Sequence, residues 1–202
     1  MRRFLFVALL ALALPIAAFA NSTSTDFIVF GGSSTLGGMH GTSGLFDKSS
    51  MLTGVLGFNG GGMVLGDLGT LSFSTGRLLS NSGNLKMFAG GGSFDITGSG
   101  TGLPGGLLFS GSFNGPVSFY TLGNGIGYVV SCESYNGCSL TGMFEGRKAT
   151  GSVSVWVGSN GVIEGAWVNV QSSSAVPEPG TLSLLGTGLL GLGAVVRRKL
   201  RI

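Results

Sequence analysis

The segment Ser152-Val-Ser-Val-Trp-Val-Gly-Ser-Asn-Gly-Val-Ile-Glu-Gly-Ala-Trp-Val-Asn-Val170 decides the fold class of this chain. Apolar and polar residues alternate on both sides of Asn160-Gly161, and a period of two residues is typical of a strand with one buried face. Asn-Gly readily adopts the positive φ angles of a tight hairpin turn. The segment therefore predicts two antiparallel strands, 152–157 and 162–170.

The side chains of this hairpin divide between two faces, because a two- or four-residue turn centred on Asn160 pairs residues whose numbers have an odd sum. One face is aliphatic and carries Val153, Val155, Val157, Val162, Ala166, Val168 and Val170. The other face carries Trp156 and Trp167 with Ser152, Ser154 and Asn169. Two interpretations follow for the indole rings: they are exposed and stack on sugar rings, or they fill the core beneath a second sheet or a loop.

The same alternation extends over most of residues 21–175. Glycine accounts for 40 of the 202 residues, and no long apolar run at helical spacing lies between the two ends of the chain. Further strands are predicted at 27–30, 51–58, 63–73, 85–89, 93–97, 107–113, 117–121, 126–132 and 139–144. Many short strands separated by Gly and Asn predict an all-β domain, either an antiparallel β-sandwich or a flattened barrel. Around Asn114-Gly115 we expect 107–113 to pair with 117–121.

The first twenty residues have the three sections of a secretory signal peptide. Met1-Arg2-Arg3 is basic, Phe4–Ala18 is apolar, and Ala18-Phe19-Ala20 supplies small residues before Asn21. We therefore expect a signal helix over residues 1–20, export through the Sec translocon, and cleavage after Ala20.

Cys132 and Cys138 are the only two cysteines of the chain. In an exported protein such a pair favours a disulfide, which would close a loop whose tip is Asn136-Gly137 and staple a hairpin. The loop-entropy model assigns this short ring roughly 2 to 3 kcal/mol of stabilisation. A metal site needs more ligands than these two thiols, and the Cys-x-x-Cys spacing of redox enzymes is absent.

The C-terminal end combines three features in a fixed order. Val176-Pro177-Glu178-Pro179 is followed by the uncharged segment 181–196 and then by the cations Arg197, Arg198, Lys199 and Arg201. As a helix, the uncharged segment is about 24 Å long, slightly shorter than the roughly 30 Å hydrocarbon core of a bilayer. The positive-inside rule puts the cations on the cytoplasmic side and residues 21–175 outside. The prolines keep Glu178 in extended backbone, which a processing enzyme can grip.

This order resembles the PEP-CTERM sorting signal of exported bacterial proteins, a tail that is also catalogued as an ice-binding protein C-terminal domain. The resemblance covers residues 176–202 alone. It implies recognition by a membrane-embedded exosortase that cuts near Val176, Pro177, Glu178 and Pro179, a transient transmembrane helix at about 181–196, and a destination in the cell envelope or extracellular matrix. Exopolysaccharide is then a candidate partner of the domain.

The charge of the middle segment limits its partners. Residues 21–175 carry five Lys or Arg and seven Asp or Glu, so the basic character of the whole chain belongs to its two ends. This balance offers no electrostatic attraction for nucleic acid. A segment of about 155 residues is long enough for one domain with its own core.

The segment contains little that supports catalysis. The only histidine, His40, lies in Gly-Met-His-Gly, a predicted loop, and no Gly-x-Ser-x-Gly elbow occurs. A secreted carbohydrate-active hydrolase remains an alternative, and it needs two carboxylates about 5 to 10 Å apart. Only Glu145 and Glu164 fall in neighbouring predicted strands. We expect a non-enzymatic β domain without a cofactor or a metal.

Overall fold

A computed structural model of the protein describes residues 22–31, 34–173 and Gly188. Within this range Ser22–Ser173 is one compact unit of antiparallel strands. Its twelve strands are β1 (Ser22–Phe30), β2 (Phe46–Leu56), β3 (Val64–Ser74), β4 (Leu78–Ser82), β5 (Leu85–Phe88), β6 (Gly91–Gly98), β7 (Gly106–Asn114), β8 (Val117–Leu122), β9 (Gly127–Cys132), β10 (Ser139–Phe144), β11 (Arg147–Gly158) and β12 (Ile163–Ser173).

Eight of these strands close into a barrel. The order is β1-β2-β3-β6-β7-β10-β11-β12, and β12 pairs again with β1. The remaining four strands lie outside this barrel and form two antiparallel pairs, β4–β5 and β8–β9. The two pairs join because β5 pairs with β8. They form a four-stranded flap that joins the barrel along the C-terminal half of β11. The predicted all-β class and the barrel alternative are therefore confirmed, with an added flap that the sequence did not predict.

One continuous hydrophobic core fills the barrel and extends beneath the flap. Phe94 is fully buried, and its ring contacts those of Phe73, Phe109 and Phe113 with centroids 5.8 to 6.3 Å apart. Glycines permit close approach of neighbouring strands where a side chain would meet the adjacent backbone. At Gly142 in β10, for example, an added Cβ would overlap the carbonyl oxygen of Ser110 in β7.

The predicted pairing of 107–113 with 117–121 is wrong. β7 pairs with β6 and β10, whereas β8 pairs with β5 and β9. The reason lies in Pro116, which follows Asn114-Gly115. In a two-residue hairpin that residue must donate its N–H to the residue before the turn, and proline has no N–H. The chain therefore leaves the barrel here and crosses into the flap.

The β11–β12 hairpin is confirmed, with one change of face. The β11–β12 loop contains three residues, because the N–H of Gly158 donates to the carbonyl of Val162. Val157 therefore lies opposite Ile163, and a bulge restores the odd register sum from Trp156 and Gly165 onward. Ile163 therefore faces the core, where Val162 was predicted, and it is buried. Val162 itself is only partly buried.

The proposed signal peptide with Ala20, the sorting segment Val176–Pro179, the terminal cations and, apart from Gly188, the span 181–196 lie outside the described residues. No helix within the described part of the chain has the length and hydropathy needed to cross a membrane.

Candidate functional site

The two tryptophans lie on the outer face of the barrel. Trp156 pairs with Gly165, and Trp167 pairs with Ser154, so the indole rings occupy diagonal positions on neighbouring strands. Each residue is 43% exposed. The interpretation that they fill the core is therefore wrong, and the aromatic face predicted from the alternation is confirmed.

A glycine and a third aromatic residue extend this surface. Gly165 separates Trp156 from Phe30 in the same row of paired residues. A Cβ added at Gly165 would lie 3.7 Å from Cε3 of Trp156, so the indole packs beside the bare backbone. Phe30 is 59% exposed. We call Phe30, Trp156 and Trp167 the aromatic platform.

A network of hydrogen-bonded polar side chains orients the indole ring of Trp167. The indole Nε1–H of Trp167 donates to Oδ1 of Asp26 at 3.2 Å. The same oxygen accepts a 2.6 Å hydrogen bond from Nδ2 of Asn169, which also donates to Oγ of Ser24 at 2.8 Å. Nε2 of Gln171 donates to Oδ1 of Asn169 at 3.2 Å. This chain of bonds orients one indole ring and leaves amide and hydroxyl groups beside it.

A polar groove begins next to this network, where the sheet forks. One edge of β11 pairs first with β10, up to Gly151, and then with β9, from Val153 onward. The segment that connects β9 to β10 leaves the sheet between these two pairings. The resulting groove has a volume of about 120 Å³, and its lining residues are all uncharged: Ser134, Ser139, Thr150, Gly151, Ser152, Asn169 and Gln171. We call it the fork groove.

The disulfide between Cys132 and Cys138 closes the loop on one side of this groove. The bond is present, with Cα atoms 5.0 Å apart, and both sulfur-bearing residues are buried. It does not staple a hairpin, because β9 and β10 do not pair with each other. They follow one another along the same edge of β11, and the disulfide joins the end of one to the start of the other.

The disulfide loop presents two further groups. Oε1 of Glu133 accepts a 2.7 Å hydrogen bond from Oγ of Ser154, on β11 between the platform and the groove. Tyr135 lies in a short 3-10 turn, Ser134–Asn136, and is 77% exposed. Neither Tyr135 nor the groove was predicted from the sequence. Tyr135 could have been identified as an aromatic residue in the middle of a short Cys-to-Cys loop. The groove could not, because it forms where β11 changes its partner strand from β10 to β9.

A wider groove of about 590 Å³ continues on the other side of Thr150 and Gln171. Its lining includes Met143 and Lys148 but no aromatic residue. We therefore place the candidate site at the platform and the fork groove, where aromatic rings and uncharged polar groups are combined.

The residues considered for catalysis do not assemble here. His40 is exposed in a turn, as its sequence predicts. Glu145 occupies the turn before β11, whereas Glu164 lies near the opposite end of that strand, opposite Trp156 and Val157. At about 3.3 Å per residue these two carboxylates are roughly 30 Å apart, so they are not the pair that the hydrolase alternative requires. Within the described residues, no group of three or more His, Cys, Asp or Glu could hold a metal ion.

The comparison with protein families identifies the C-terminal end. Residues 175–199 match the model of the PEP-CTERM protein-sorting motif. The chain carries a PEP-CTERM sorting motif. This motif indicates an exported, membrane-anchored precursor that an exosortase processes. No curated protein and no solved structure matches the chain.

Proposed function

We propose that this chain is a non-enzymatic bacterial envelope or matrix protein whose β domain binds glycans through the aromatic platform and the fork groove. The PEP-CTERM motif supports export and processing. The observation that supports glycan binding is the exposed pair Trp156 and Trp167, which borders a groove of hydroxyl and amide groups. Aromatic rings cover the apolar C–H face of a sugar, and the polar groups bond to its hydroxyls.

The two ends of the described β domain lie next to each other. Ser22 and Ser173 are register partners on β1 and β12. The segment before β1 and the segment after β12 therefore join the domain at the same end of one strand pair. The aromatic platform begins six residues further along β12, at Trp167, about 20 Å from that end. The platform is therefore distant from both ends of the described domain.

Processing is tested by intact-mass analysis of the protein from a host with and without its exosortase. We expect loss of the segment after the Pro177-Glu178-Pro179 element only in the host that has the enzyme. Replacing Glu178 with Ala is expected to leave the precursor uncut. Retention of residues 180–202 in both hosts would show an ordinary membrane anchor.

Glycan binding is tested by screening the exported protein against immobilised polysaccharides, with Trp156→Ala and Trp167→Ala variants. A whole Trp side chain has a surface of about 250 Å², so 43% exposure leaves roughly 100 Å² of each tryptophan side chain accessible to solvent. A sugar that covers half of this area gains about 1.3 kcal/mol, so each substitution should weaken binding about tenfold.

Phe46→Ala is the matched control for these variants, because Phe46 is a similarly exposed aromatic residue at the start of β2, outside the site. It should leave affinity unchanged. Thermal unfolding of each variant separates lost contacts from lost folding. Equal binding by all three variants would refute the glycan function, and release of new reducing ends from a bound glycan would refute the non-enzymatic part of the proposal.

A further inference from the structure

The disulfide loop, the fork groove and the aromatic platform form one continuous surface on the outside of the barrel. Ser152 and Asn169 line the groove, and they are register partners on β11 and β12. Two residues along each strand, Ser154 and Trp167 are the next pair that faces outward. On the far side Ser134 contributes to the groove and precedes Tyr135 in the loop. A chain-like ligand can therefore contact Trp167, the groove and Tyr135 in turn.

The charge of this surface restricts the ligand. All the groove-lining side chains are uncharged, so none can pair with an anionic group. The two charged residues bonded within the surface are both acids: Asp26 beside Trp167, and Glu133 at the base of the loop. Their hydrogen-bond partners, Trp167, Asn169 and Ser154, are neutral. A bound carboxylate or sulfate would consequently be repelled.

The nearest lysine along β11 is distant from the two acids. Lys148 precedes Ser154 by six residues, which corresponds to about 20 Å along a strand. This distance is about two and a half times the screening length of roughly 8 Å at physiological ionic strength. Lys148 is two residues from Thr150, at the outer end of the fork groove, and it lines the wider groove there; it therefore does not offset the acids beside Trp167 and at the base of the loop.

We propose that the ligand is an uncharged glycan chain that stacks on Trp156 and Trp167, crosses the fork groove and contacts Tyr135. This proposal rests on the glycan-binding function above and adds the ligand class and the role of the disulfide loop. Asp26 acts as a positioning residue for the Trp167 ring, and together with Glu133 it excludes acidic polysaccharides.

The test compares binding of the exported protein to a soluble neutral β-glucan and to alginate, whose sugar units all carry carboxylates. We expect the glucan to bind at least about tenfold more tightly than alginate. The reason is the repulsion between an alginate carboxylate and Asp26 or Glu133. At an assumed separation of about 8 Å, the energy of each such pair lies between its value in water and its value near a protein surface. Raising the salt concentration to about 0.5 M should narrow this difference, since the interaction is screened.

Two sets of variants separate the parts of the proposal. The double variant Asp26→Asn with Glu133→Gln keeps an oxygen acceptor at both positions and removes both charges, so the ratio of glucan affinity to alginate affinity should fall several-fold. Any loosening of the Trp167 ring would lower both affinities alike and leave that ratio unchanged. Lys48→Gln, which removes an exposed charge on β2 outside this surface, is the charge control and should leave alginate binding unchanged. Tyr135→Ala should weaken glucan binding about fivefold, with Ile126→Ala as a control at an exposed residue of the β8–β9 turn.

The outcomes are distinguishable. The proposed ligand class would be overturned if alginate bound as tightly as glucan in a tryptophan-dependent way. It would also be overturned if the double variant still discriminated between the two polysaccharides. Either result would leave the glycan-binding function standing. Unchanged binding by Tyr135→Ala would overturn the role of the loop. If neither polysaccharide nor any other glycan bound in a tryptophan-dependent way, the proposed function itself would fail.

Discussion

Reduction of the Cys132–Cys138 disulfide should both destabilise the domain and weaken the site. The bond closes a ring with a sequence separation of six residues. The chain-entropy relation for a ring of about seven residues corresponds to about 2.4 kcal/mol at 25 °C. The ring also positions Glu133, Ser134 and Tyr135 beside the fork groove, so its release should lower glycan affinity in addition to the free energy of unfolding.

The assay is equilibrium unfolding in guanidinium chloride, followed through the fluorescence of Trp156 and Trp167. With a slope of about 4 kcal/mol per molar, the loss of 2.4 kcal/mol moves the midpoint down by about 0.6 M. The variant Cys132→Ala with Cys138→Ala should show a similar or slightly larger shift, because both residues are buried. Adding reductant to this variant is the control and should change nothing further.

A specific result would refute this reasoning. If the reduced protein unfolded at the same denaturant concentration and bound glycans as tightly as the oxidised protein, the loop would be held by its backbone bonds and the Ser154–Glu133 hydrogen bond without help from the disulfide. The backbone bonds are the ones from Asn136 and Cys138 N–H to the carbonyl of Glu133, and from Gly137 N–H to that of Ser134.

Three further changes test the fold by chemical denaturation of each variant. Gly142→Ala should cost about 1 to 3 kcal/mol, because its Cβ would overlap the carbonyl of Ser110, whereas Gly62→Ala, with open space around the Cβ, should be nearly neutral; equal costs would refute the close approach of β7 and β10. Phe94→Ala should cost about 3 to 5 kcal/mol, since the buried ring contacts three others, and a cost below 1 kcal/mol would show that the core collapses around it. Glu145→Asn should stabilise by about 0.5 to 1 kcal/mol, because Glu145 has φ 48° in the β10–β11 turn, which asparagine tolerates better; a loss of stability would mean that its carboxylate contributes more than the strained backbone costs.

The alternation of side chains was sufficient to predict much of the candidate site. Strand faces follow a period of two within a few residues, so Trp156 and Trp167 could be assigned to one face from their positions alone. The prediction failed at Val162, where a three-residue loop and a compensating bulge change the face locally. Turn length depends on backbone angles that residue types favour but do not dictate.

Sequence alone determined the all-β class, the shared face of the two tryptophans, the disulfide partners and the PEP-CTERM motif, whereas only the structure showed that this face points outward. All four depend on local patterns: a residue period, a pair of cysteines, and a short motif of ordered composition. Tertiary structure decided which strands pair, because pairing joins segments far apart in the chain, such as β1 with β12. It thereby decided the closure of the barrel, and it created the fork on β11 that brings Tyr135 and Glu133 to the tryptophans.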